Sequence, residues 1–131
     1  MKYMLLMSAT KADLRSFGTT LGPEDIRAHI KFMIDLNAEL RASGELVDAQ
    51  GLAPPDQTRL VRARAGGGAP VVTDGPFAEA KEFLAGYWLL DVASPERVYE
   101  IAARISGAPG RGGAPLNFAV EVSPVGVAPQ V

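Results

Sequence analysis

Three observations predict an α+β domain in which two helices return the chain to one sheet. Two stretches open with Pro followed by an acid and then carry apolar residues at helical spacing. Each follows an extended apolar run, and a third region between them alternates apolar with charged residues at the two-residue period of a strand.

The elements follow in order. Lys2 to Ser8 is a continuous apolar run of the kind found in a central strand. Residues 10–22 mix Lys, Asp, Arg, Ser, Gly and Thr without periodicity and are expected as a loop. Pro23-Glu24-Asp25 starts a helix, because Pro at the first turn forfeits no hydrogen bond and acids favour the positive end of the dipole. Ile26, Ile30, Met33, Leu36, Asn37 and Leu40 recur at helical spacing, and Ser43-Gly44 stops the helix, so it is predicted over 23–43. Glu45 to Ala53 reads as a strand ended by Pro54-Pro55. Thr58 to Arg64 and Pro70 to Thr73 read as two arms around the Gly66-Gly67-Gly68 turn. Asp74-Gly75-Pro76 marks a tight turn. Phe77 to Glu82 is short and charged, enough for one helical turn, and Phe83 to Val92 is the most apolar strand. Ser94-Pro95-Glu96 opens a second helix with Val98, Ile101, Ala102 and Ile105 as its buried stripe. Gly107 to Pro115 is expected as a mobile loop, Leu116 to Val125 as a last strand, and Gly126 to Val131 as a frayed or partner-bound tail.

The order β-α-β-(β-β)-β-α-β is ferredoxin-like with an extra hairpin. Helices cover one face of such a sheet. The other face would keep apolar side chains without cover, and a homodimer with sheet facing sheet is the simplest expectation.

A length of 131 residues makes a single domain over 1–131. A net charge of −2 with interspersed signs argues against a nucleic-acid binder, which needs a concentrated basic face. The absence of cysteine excludes disulfides and thiolate chemistry, and a single histidine excludes a multi-histidine metal site. No cofactor motif is read: Gly66-Gly67-Gly68 is not followed by the Lys-Ser/Thr of a phosphate loop. The apolar N-terminus is interrupted by Thr10 and Lys11, and no run approaches the roughly 20 apolar residues of a membrane span, so a cytoplasmic protein is expected.

Candidate chemistry rests on few residues. Asp74 could shape its turn or act as a general base at a cleft. His29 falls within the helix arc that faces the sheet, where it could bond a backbone carbonyl or pair with a carboxylate and move protons near neutral pH. Glu79, Lys81 and Glu82 follow Asp74 as a charged cluster that could hold a ligand or form a solvated turn. Tyr87 and Trp88 point to opposite sheet faces, and either could wall a ligand pocket. Arg62 and Arg64 share a strand face, with Arg59 opposite.

The stretch Thr73-Asp74-Gly75-Pro76-Phe77-Ala78-Glu79-Ala80-Lys81-Glu82-Phe83-Leu84-Ala85-Gly86-Tyr87 resembles the signature of the YCII-related (DGPF-domain) family. Lys2-Tyr3-Met4-Leu5-Leu6 resembles that family's first strand, Gly51-Leu52-Ala53-Pro54-Pro55 its G-L-x-P turn, and Glu121 to Val125 its closing strand. The resemblance implies a dimeric α/β barrel. It implies little about activity: a histidine–aspartate dyad has been proposed in one branch, and some members are encoded beside extracytoplasmic-function sigma factors. Ala53 stands where members sometimes carry a turn histidine. Two readings follow. One is a small-molecule lyase or isomerase with Asp74 as base and His29 as partner. The other is a dimeric binding or regulatory protein that needs no dyad.

Overall fold

A computed structural model describes residues 1–77 and 80–130. Strand β1 (Lys2–Ala9) leads into helix α1 (Lys11–Thr20) and helix α2 (Pro23–Ala42). Strand β2 (Leu46–Gly51), a 3-10 turn at Pro55–Gln57 and the pair β3 (Arg59–Arg62) and β4 (Val71–Asp74) follow. Strand β5 (Phe83–Asp91), helix α3 (Pro95–Ser106) and strand β6 (Glu121–Pro124) complete the chain. The main sheet has the order β2-β5-β1-β6, antiparallel throughout, and β3 and β4 form a separate hairpin. The arrangement is α+β and consistent with a ferredoxin-like fold, and the four-stranded sheet is open and not closed into a barrel within the chain.

Helix α2 begins as its Pro and acids dictate: the Asp25 carboxylate accepts the Gly22 N–H at 3.1 Å. It ends where Gly44 adopts a φ of 79° and the Glu45 N–H turns back to the Leu40 carbonyl at 2.9 Å. In α3, the Ser94 hydroxyl accepts the Arg97 N–H at 3.2 Å, and Val98, Ile101, Ala102 and Ile105 are buried.

Register sorts the strand residues into two faces. Leu5 lies opposite Trp88 and Val122, and Tyr3 opposite Leu90. These side chains meet Leu36 and Leu40 of α2 and Val98, Ile101 and Ile105 of α3 in the core. Each fully buried Leu or Ile contributes about 1.5–3 kcal/mol. The alternate residues Met4, Leu6, Tyr87 and Leu89 also pair across β1 and β5, but they stay half-buried on the face without helices.

The structure corrects four expectations. Residues 11–20 form a helix where a loop was expected: the Thr10 hydroxyl accepts the Asp13 N–H and the Asp13 carboxylate accepts the Thr10 N–H, both at 3.0 Å. This helix buries no residue, so no apolar stripe announces it. The 107–115 segment is a hydrogen-bonded turn and not an open loop. Leu116 N–H bonds the Ala108 carbonyl at 2.9 Å, and Gly112 N–H bonds Asp25 of α2 at 3.1 Å. The last strand shrinks to four residues because Asn117 takes a φ of 56°, which bends the chain before pairing begins. Ile30 points outward and is half exposed, at 51%, so the buried stripe of α2 runs through Leu36 and Leu40 instead. The short helical turn expected over 77–82 includes Ala78 and Glu79, which lie outside the described residues.

Candidate functional site

The hollow that separates α2 from the sheet is set by a missing pair of side chains. Gly51 of β2 lies opposite Gly86 of β5, two positions beyond the Ala49–Trp88 pair and on the same face. A Cβ on Gly51 would meet nothing within 4 Å, so the space above it is open. A Cβ on Gly86 would lie 3.0 Å from the Gln50 carbonyl oxygen, so that strand tolerates only glycine without a shift. The result is a cleft of about 220 Å³, walled by Met7, Met33, Ala49, Tyr87 and Trp88.

Helix α2 supplies its polar groups. His29, Met33 and Asn37 recur every fourth residue and border the cleft in a row. His29 Nδ1 lies 3.1 Å from the Pro109 carbonyl oxygen. A carbonyl only accepts, so Nδ1 carries the proton and donates it. In the neutral ring Nε2 is then the acceptor, and it makes no hydrogen bond among the described residues. Phe17 of α1 packs edge-on against the imidazole, with ring centroids 5.2 Å apart. Asn37 Oδ1 accepts the Trp88 indole N–H at 2.9 Å, which leaves the amide N–H₂ of Asn37 as a donor. Among the described residues His29 is the one ionisable side chain on the helix side of the cleft; Tyr87 reaches the lining at its strand position while its side chain projects to the other sheet face. The Tyr87 hydroxyl donates to Asp48 at 2.7 Å, and this bond raises the phenol above its ordinary range and lowers the Asp48 carboxyl.

The expected residues do not all converge. His29 and Tyr87 border the cleft, and Trp88 and Tyr87 take opposite faces, as their strand alternation predicts. Asp74 closes β4 on the separate hairpin, with its side chain 95% exposed and its carboxylate 3.6 Å from the Arg59 guanidinium opposite. No hydrogen bond joins it to His29 in the single chain. Lys81 and Glu82 are exposed ahead of β5, and Glu79 lies outside the described residues. Sequence reasoning passed over Asn37 as one more member of the helical stripe. Its signal was an amide within an apolar row, and its partner Trp88 is visible only in three dimensions.

The chain matches the YCII-related domain over residues 1–110. It belongs to the YCII-related domain family. One curated relative, an uncharacterized protein of Rhizobium meliloti (strain 1021), is 37% identical over 81 residues. That alignment covers 60% of this chain and 64% of the relative. The family match spans both the cleft and the hairpin, so the cleft belongs to the YCII-related domain itself. No helix among the described residues is long and apolar enough to cross a membrane.

Proposed function

We propose that the chain binds a small uncharged carbonyl compound in the cleft under α2 and moves a proton on it, in the manner of a lyase or isomerase. The observation that carries this reading is the state of His29: Nδ1 is committed to the Pro109 carbonyl, and Nε2 is left as the base beside lining residues that are apolar or uncharged. In this scheme Nε2 takes a proton from the carbon beside the carbonyl, and the ring becomes imidazolium. The electron pair moves onto the carbonyl oxygen as an enolate, which the Asn37 amide N–H stabilises. Where the compound is β,γ-unsaturated, the dienolate takes the proton back from the imidazolium at its γ-carbon and gives the conjugated isomer; where a leaving group stands on the β-carbon, the enolate expels it with its bonding pair, the imidazolium protonates it, and the lyase outcome follows. Among the described residues the cleft wall carries no Lys, Arg, Asp or Glu, which favours an uncharged substrate. Asp74 enters this scheme only if an assembly brings the hairpin to the cleft.

The test is deuterium exchange beside the carbonyl of a panel of small uncharged ketones, followed by NMR in heavy water. His29→Ala should lower the protein-dependent rate by about 100-fold, and Asp74→Asn should leave it within about twofold. Equal rates for His29→Ala and the unmodified chain would sink the reading.

The half-buried row Met4, Leu6, Tyr87 and Leu89 supports a further proposal, that two copies pair through this open sheet face and together form a dimeric α/β barrel. Leu89→Lys should convert a dimer to a folded monomer in light scattering, and an unchanged mass would remove this face from the interface.

A further inference from the structure

The prolines of the two turns singled out in the sequence, Pro54-Pro55 and Gly75-Pro76, line neither the core cluster nor the cleft. The structure brings them together against α1. Pro54, Pro55 and Pro76 form one wall of a groove of about 350 Å³, and Lys11, Leu14 and Arg15 of α1 form the other. Positions i, i+3 and i+4 share one helical face, so the two cations flank a single apolar residue by construction. Among the described residues neither cation lies within ion-pair distance of a carboxylate. Among the described residues Asp56 is the single acid on the rim, so their lining charge is two positive against one negative. Proline walls hold their shape without rotamer freedom, which lowers the cost of ordering around a rigid ligand.

We infer that this groove is a binding site for a small monocarboxylate with a compact apolar body. The carboxylate sits between Lys11 and Arg15, and the body lies on the prolines and Leu14. A planar carboxylate suits the fork of an arginine, and the apolar floor selects against a bare inorganic anion. Both cations are exposed, so the interaction weakens as salt rises. The site is separate from the cleft under α2 and stands or falls independently of the proton-transfer reading.

The probe is benzoate, titrated into the full chain and followed by amide NMR, with inorganic phosphate in a parallel titration. Benzoate should shift the amides of residues 11–15 and 75 in a saturable way and leave the Trp88 indole N–H in place. Lys11→Ala with Arg15→Ala, checked for an unchanged circular dichroism spectrum, should weaken binding by about tenfold or more. Phosphate should neither saturate nor displace benzoate. The inference is overturned if benzoate does not bind, if the double variant binds it equally well, if phosphate competes on equal terms, or if the Trp88 indole moves instead.

Discussion

The cleft under α2 and the groove beside α1 are built of opposite materials. The cleft is carved into the covered layer of the sheet: its walls are core residues, its opening is a facing pair of glycines, and its one imidazole is tied to a carbonyl. The groove lies between surface turns and a helix that buries nothing, and its walls are prolines and exposed cations. The difference shows why Asp74 and His29 lie apart within one chain. The signature turn belongs to the groove side, on a hairpin outside the main sheet, and the histidine belongs to the cleft side, on the helix that makes the core.

That contrast predicts unequal stability effects. Trp88 is 6% exposed and serves the core and the cleft together, so Trp88→Ala should cost about 3–5 kcal/mol. Leu14 is 42% exposed on the groove, and Leu14→Ala should cost within about 0.5 kcal/mol. Urea titrations of both variants check this, and similar costs would break the distinction between a core-built cleft and a surface groove.

The glycine pair sharpens it. Gly86→Ala drives a Cβ to 3.0 Å from the Gln50 carbonyl, a backbone atom that cannot swing away, and should cost about 1–3 kcal/mol. Gly51→Leu meets open space, so it should fold with a change within about 1 kcal/mol while it fills the cleft. Denaturation curves separate the two outcomes, and a Gly51→Leu variant that unfolds would show that the space above Gly51 is not free.

A pH-dependent effect lies away from both sites. The Arg97 guanidinium bonds Glu45 through Nε and Nη2, each at 2.9 Å, and holds the Glu45 carboxyl below the ordinary glutamate range. A lowered folded pKa means that the bridge stabilises fully above the unfolded value and is lost as pH falls through the folded one. Arg97→Ala should therefore cost about 1 kcal/mol at neutral pH, and the difference should vanish in acid. A difference that grows on acidification in thermal scans would contradict this sign.

Much of the frame was legible before the structure. Pro23 and Ser94-Pro95 start helices, and Gly44 stops one, because their local chemistry decides the backbone without help from the rest of the chain. Helix α1 escaped because its signal is a Thr10–Asp13 capping pair with no apolar stripe behind it. His29 was legible as a residue facing the sheet, since helical spacing alone places it there. The cleft it borders was not legible. Gly51 and Gly86 read separately as a turn residue and a strand residue, and only the β2–β5 register puts them opposite each other. The bond from Trp88 to Asn37 likewise joins residues distant in sequence, and no spacing rule announces it.

The chain has one tryptophan, Trp88, which lines the cleft and whose indole N–H bonds Asn37, another lining residue. The most direct measurement is therefore the joint response of the Trp88 indole and the His29 ring resonances to small uncharged ketones, in the unmodified chain and in Gly51→Leu. The two resonances are expected to shift together along one binding curve, and Gly51→Leu is expected to abolish both shifts while remaining folded. Ketones that bind without moving either resonance, or that move them equally in Gly51→Leu, would contradict the assignment of the cleft under α2 as the functional site.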